Sequence, residues 1–345
     1  MLKIKALKQA LLACLILSAL LAGCRGAPAA PPTPQAPAAE AETATPAIPP
    51  TPTPQPGVTV LVAPAETDPA VLNAIQALLT DLSQTAGQNL ELRGDLQPGD
   101  LQAEMKQIFF LTPPANLQDL LNTAPQSQFV VVSETDLEQA ANLSIIRLHP
   151  EKQAFLAGFA AVTIANDWRA AALMPADEPL GKLKSTAFIK GGQYFCGLCN
   201  SYYSPIVRFP LVSQLPQGSP PDQWLAAADQ LNQSFIYLYY VSPEAASLDL
   251  LYTLATRSVL LLGGQTPPDE VRGLYAATIR FDLTEPLSAL WPAVSSGQGG
   301  QSLEANLILT DINPDVFSPG KQAFVQKALE DLQAGYIYPL DPLAE

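Results

Sequence analysis

The sequence predicts an α/β protein built as two doubly wound parallel-sheet lobes with a ligand cleft. Three observations carry this expectation. From Val58 onward, apolar β-rich runs alternate with helical patterns. Runs such as Val130-Val131-Val132 and Phe109-Phe110-Leu111 are apolar at every position, as parallel strands covered by helices on both faces must be. The strand-helix alternation occurs as two series, one before and one after the apolar helix that follows Pro150, so each series winds its own sheet.

The segments ahead of the fold indicate a compartment. Lys3, Lys5 and Lys8 precede an apolar run from about Leu11 to Leu21. Such a run is shorter than the roughly 20 residues of a membrane span and reads as a secretory signal, residues 1–23. It ends Leu21-Ala22-Gly23-Cys24, which resembles a bacterial lipobox and implies acylation of Cys24. Residues 24–57 are rich in Pro, Ala and Thr and nearly free of large apolar side chains, so they are expected to form a disordered tether. These features predict an extracytoplasmic, membrane-anchored lipoprotein. The whole chain carries a formal charge of -14, and loss of the three signal lysines takes it to -17 (-14 minus 3). A chain this acidic, with no Lys/Arg stripe, is not a nucleic-acid binder.

Within the fold, "VTVLVAP" (58–64) reads as a buried strand. "DPAVLNAIQALLTDLSQTAG" (68–87) reads as a helix, with Asp68 as N-cap, Pro69 in the first turn and Gly87 past its end. A short strand (90–94), a brief helix "LQAEMKQ" (101–107), a strand (108–114), a helix (115–125) and strands at 128–134 and 142–148 follow. The helix 151–167 is apolar nearly all round and therefore buried. Ala154, Gly158 and Ala161, at i, i+4 and i+7, invite close approach by another element, at the ~1 kcal/mol cost of a mid-helix glycine. The second series runs strand 168–177, helix 180–200, strand 205–212, helix 220–233, strand 234–242, helix 244–258 and strands 258–264 and 274–282. Helices 283–297 and 319–335 close the chain, the last stopped by Gly335.

Several stretches resemble the basic membrane protein family, the nucleoside-receptor-like substrate-binding lipoproteins of ABC transporters. "FLAGFAA" (155–161) is similar to that family's FLAGY-type segment, "AFIKGG" (187–192) to a Phe-x-x-Gly helix start, and "ALEDLQAGYIYP" (328–339) to its closing helix and tail. "NLQDLLNTAPQSQFVVVSE" (116–134) and "SVLLLGGQ" (258–265) fall where the family has a helix-turn-strand and a strand ending in aspartate. The resemblance implies a type 1 periplasmic-binding fold with three crossovers between lobes, a nucleoside or similar small solute, an ABC permease as partner, and no cofactor or catalysis. Two positions depart from the family pattern. The loop after the first strand, Pro64 to Asp68, lacks Phe and Asn, and Gly263 or Gly264 stands where the aspartate would be. The expected domain boundaries are 58–145 with a returning segment 258–290, and 146–257 with 291–340. A second reading keeps the fold but assigns it a sensory or structural role without transport.

Ligands of parallel sheets sit beyond the carboxyl ends of the strands. That rule nominates Glu66, Thr67, Thr112, Ser133, Glu134, Gly263, Gly264 and Gln265, with Tyr194 as an aromatic that could stack on a ring or pack the lobe. The lone His149, at a helix start, is expected to cap or face solvent. Cys196 and Cys199 allow a zinc half-site, a redox pair or a structural bridge. The even cysteine count of an exported chain favours the disulfide. Helical i, i+3 spacing is too wide for that bond, so the bridge should end the helix at Gly197.

Overall fold

The structure, a computed structural model, describes residues 57–340. The signal, Cys24 and all of the tether except Gly57 lie outside the described residues.

The first sheet contains β1 (Val58–Val62), β2 (Asn89–Arg93), β3 (Met105–Phe110), β4 (Gln128–Ser133), β5 (Leu143–Arg147) and, from far along the chain, β11 (Ser302–Glu304). Its order is β11-β5-β4-β3-β1-β2, and every pairing is parallel. Alternation distributes the all-apolar runs. Val130 and Val132 meet α1 (Pro69–Thr85) and α7 (Thr284–Ser295), while Phe129 and Val131 meet α2 (Leu117–Thr123) on the other face. Asp68 caps α1 as expected, its Oδ1 accepting from the Ala70 N–H at 2.9 Å.

The second sheet holds β6 (Ala170–Pro175), β7 (Leu211–Leu215), β8 (Leu238–Val241), β9 (Leu260–Gly263), β10 (Tyr275–Asp282) and β12 (Asn306–Thr310), in the order β12-β10-β9-β8-β6-β7. All pairings are parallel except β10 with β12. Helices α3 (Pro150–Ile164), α4 (Leu180–Cys196) and α8 (Pro319–Gln333) cover one face, and α5 (Pro221–Asn232) and α6 (Leu248–Thr256) the other. The small residues of α3 serve close approach as expected. A Cβ on Gly158 would stand 1.9 Å from the Phe188 carbonyl oxygen, and one on Gly191 of α4 would stand 1.9 Å from that of Phe155. Each helix thus lays backbone into a notch left by the other's glycine.

The chain crosses between lobes three times, after β5, after β10 and after β11; the first lies next to the expected boundary at 145/146, and the second and third lie elsewhere than expected. Residues 258–282 do not return to the first sheet. Leu260, Leu261 and Leu262 are buried, and β9 and β10 add to the growing second sheet beside β8. It is α7 and β11 that return. Leu287, Leu290, Trp291 and Val294 of α7 close the core under β1, β3 and β4, each such burial contributing ~1.5–3 kcal/mol. Two elements are also corrected. "LQAEMKQ" is not a helix: after a short 3-10 turn (Pro98–Asp100), Met105 and Gln107 enter β3, where central pairing and burial override local propensity. The strand expected from Pro205 starts only at Leu211, because Pro205 and Pro210 have no N–H to give a ladder.

Candidate functional site

The carboxyl ends of the two sheets face one another across a cavity of about 500 Å³. The first lobe contributes Leu111, Thr112, Pro113, Val132, Glu134 and Leu148. The second contributes the β6–α4 loop from Pro175 to Leu180, together with Lys184, Gln217 and Glu244.

Lys184 is the centre of this arrangement. Its Nζ lies 2.6 Å from Glu244 Oε1 and 3.0 Å from Glu134 Oε2, and its side chain is 7% exposed. Burial works against the ammonium, yet Glu244 and then Glu134 outweigh it, so the lysine is held above its ordinary value. Burial likewise opposes the Glu244 carboxylate, and Lys184 overrides it, holding that carboxyl low. The Lys184–Glu244 pair is therefore charged at neutral pH, and the contact of Lys184 with Glu134 links the lobes, since Glu134 follows β4 of the first sheet while Lys184 and Glu244 belong to the second lobe. Glu244 Oε2 is shut away from solvent without a hydrogen-bond partner. Beneath them Tyr240, which burial holds neutral, packs its ring on Phe188 with centroids 5.7 Å apart.

A second polar tie spans the lobes. The Thr266 N–H, beyond β9, donates to Asp68 Oδ2 at 2.7 Å, so one carboxylate caps α1 and fastens the opposite lobe. At the crossovers, His149 Nδ1 lies 3.0 Å from Glu151 Oε1, and Nε2 lies 3.3 Å from Glu304 Oε1. The second contact has ion-pair distance without hydrogen-bond geometry, and Nε2 counts as unpartnered. His149 stands at the N-cap position of α3 without a side-chain capping bond, half-buried rather than fully open to solvent, and it joins the first crossover to the strand that precedes the third.

The sequence-nominated residues divide. Thr112 and Glu134 line the cavity. Ser133 is buried and bonds to Thr135 in the turn behind Glu134. Glu66 is exposed and Thr67 half-buried on the turn after β1, outside the cavity lining. Gly263 faces the Tyr275 ring and Gly264 faces Pro243 and the Tyr240 hydroxyl, while the Gln265 carbonyl accepts from Thr278 Oγ1. Tyr194 is 60% exposed and lies ten residues, about 15 Å, along α4 from Lys184. There it packs against Phe155 and Phe159. Cys196 and Cys199 are joined, and α4 stops at Cys196 with Gly197 at φ +67°, as the bridge geometry required.

Sequence reasoning missed Lys184, Glu244, Asp177, Glu178 and Gln217. A signal for Lys184 was present: Lys184, Ala187, Phe188 and Gly191 fall at i, i+3, i+4 and i+7 on the buried face of α4, so a charge stands on an apolar stripe. A second cavity of about 340 Å³ lies in the first lobe, between Val62, Gly94 to Gln97, Phe110 and Asn116, and shares Thr112 with the first as a lining residue.

Among the described residues no group of three or more His, Cys, Asp or Glu side chains could hold a metal ion, and no helix is long and apolar enough to cross a membrane. No family model matches the chain, and no curated protein does. Solved structures do. An ABC transporter solute-binding protein from Conexibacter woesei is similar with a TM-score of 0.61 at 16% identity, over 82% of this chain and 98% of that one. One from Aeropyrum pernix gives 0.60 at 13%, over 84% and 95%. A transcriptional activator of the comK gene from Bacillus halodurans gives 0.60 at 12%, over 82% and 100%. The chain has the type 1 periplasmic-binding-protein-like fold found in such solute-binding and regulatory proteins.

Proposed function

We propose that the protein is a lipid-anchored extracytoplasmic solute receptor of the basic membrane protein type, which captures a small molecule between its lobes for an ABC permease. The observation that carries this is a cavity walled by both lobes at the carboxyl ends of both sheets, where lobe closure encloses a solute. The lipobox at Cys24 and the tether that follows support anchoring outside the cytoplasm. The names of the similar solute-binding proteins support the transport role. The protein binds its solute and performs no chemistry on it. The resemblance points to a nucleoside, and nucleosides form one arm of the test.

That test is a thermal-shift screen of the purified mature chain against nucleosides, sugars, amino acids, dicarboxylates and aliphatic amines. A true solute at a hundredfold excess over its Kd stabilises by ~2.7 kcal/mol. Silence across every class rejects the receptor reading.

One observation favours a second role, a sensory or structural module without transport. The protein's own side chains bridge the lobes through Lys184 to Glu134 and Thr266 to Asp68. If these ties hold the cleft shut, X-ray scattering profiles with and without a stabilising solute will superimpose; a receptor that opens will contract on binding.

A further inference from the structure

We infer that the cleft selects a small aliphatic cation, a solute carrying at least one primary ammonium. This inference rests on the receptor reading and specifies its substrate class.

The charge of the cavity wall is one-sided. Glu134, Asp177, Glu178 and Glu244 face it, and Lys184 is the one cationic side chain among the lining residues. Four carboxylates against one ammonium leave the wall at a formal -3. An anionic solute would have only Lys184 to meet, and Lys184 is buried and already shared by two carboxylates. A cation meets the opposite situation. Glu134 and Glu244 line the cavity with 30% and 20% of their side chains exposed, so carboxylate surface remains open to a solute beside Lys184. An ammonium brings three donors and the compensating charge to that surface. The resident lysine shows that an alkyl ammonium is tolerated between Glu134 and Glu244.

The rest of the wall defines the body of the solute. Leu111, Val132, Leu148 and Leu180, with Pro113 and Pro179, present aliphatic surface, and no aromatic side chain lines this cavity. A purine or a sugar ring has no flat partner there, whereas a short methylene chain is matched by aliphatic walls. The volume of about 500 Å³ suits a small organic molecule. A metal ion is disfavoured because the carboxylates do not converge: no group of three or more acidic, His or Cys side chains among the described residues could hold one. Glu178, exposed on the β6–α4 loop, gives a second negative point at the rim, so a diamine would be gripped at both ends.

The test uses the mature chain at physiological salt, with calorimetry and thermal shift. The probes are 1,4-diaminobutane, n-butylamine, 1,4-butanediol, succinate, inosine and glucose. The amines are expected to bind saturably, the diamine more tightly, while the isosteric diol and the dianion do not bind. Glu244→Gln should weaken diamine binding at least tenfold, and Glu178→Gln about threefold. Lys184→Met, which removes the resident competitor, should tighten butylamine binding. Glu330→Gln, on α8 and away from the cavity, should change nothing and controls for attraction to the acidic chain as a whole. If Glu244→Gln does not fold, Glu178→Gln decides. Amine affinity equal in wild type, Glu178→Gln and Glu244→Gln overturns the inference. So does stabilisation by inosine, glucose, butanediol or succinate alone, which leaves the receptor reading intact. Failure of every class in the broader screen overturns both.

Discussion

The two lobes share a topology but not a workload. The first is an all-parallel sheet whose interlobe face supplies one carboxylate, Glu134, and the hydroxyl of Thr112 to the cavity. The second supplies Lys184, Glu244, Asp177 and Glu178, and also carries the interlocked α3–α4 pair, the disulfide and an antiparallel edge strand. The electrostatic site is thus largely prebuilt on one jaw, and the other closes on it with a single charge. In such a design, solute preference is set by the second lobe and closure by what crosses to the first.

The largest test of this asymmetry is Gly158→Val. Its side chain would enter the Phe188 carbonyl, so the second lobe should lose ~3 kcal/mol or more, seen as a large drop in the urea midpoint. An equal drop for Val130→Ile, a one-methylene addition in the first lobe's core, would break the contrast. Next comes Lys184→Met. Two half-buried carboxylates, Glu134 and Glu244, would then be left without their shared cation. The loss should be about 3 kcal/mol, at the low end for buried pairs because Glu134 keeps 30% of its side chain exposed. Because Glu244 is held low, its bond to Lys184 within the second lobe is present at neutral pH and is lost as pH falls through that depressed value. Acid should therefore destabilise the wild type more than the variant, as urea midpoints measured against pH can show.

Smaller effects follow. Replacing Cys196 and Cys199 by Ser should cost ~1–2 kcal/mol, since the loop closed is four residues long, and should leave solute binding intact. Detection of free thiols at these positions in the exported protein would return the pair to redox chemistry. Smallest is His149→Gln. Its hydrogen bond to Glu151 raises the imidazole above its ordinary value despite partial burial. That contribution is fully present below the unfolded pKa of ~6.5 and disappears as pH rises through the raised folded value. Solvent screening keeps it under about 1 kcal/mol. A pH-independent difference between wild type and variant would place its role in packing instead.

The sheets were legible because parallel strands announce themselves as Val130-Val131-Val132 does, by being apolar on both faces. The crossover points were not, because nothing local in "VLLLGG" says which of two similar sheets it will extend; β8 and β10 decide that. β11 escaped notice for a related reason. Ser302 to Glu304 is a three-residue edge strand with little apolar signal, recruited by the ladder already present on β5. The strand-end rule found Thr112 and Glu134, which lie directly past β3 and β4. It missed Lys184 because that side chain reaches the cleft from the body of α4 rather than from a loop, and it missed Glu244 because the turn after β8 was not among the edges considered.

The second crossover, which brings β11 back to the first sheet, also orders events during synthesis. β5 ends at Arg147 and its neighbour β11 begins at Ser302, so the 154 residues from 148 to 301 must be made between two adjacent strands. At ~5–20 residues per second, that flank of the first sheet stands unpaired for roughly 10–30 s while the second lobe is made. An open strand edge invites pairing with other chains. The nascent protein thus passes through an interval in which its own unfinished border is a hazard, and a chaperone that shields the Leu143–Arg147 edge would raise the yield of folded protein more than one acting on the finished molecule.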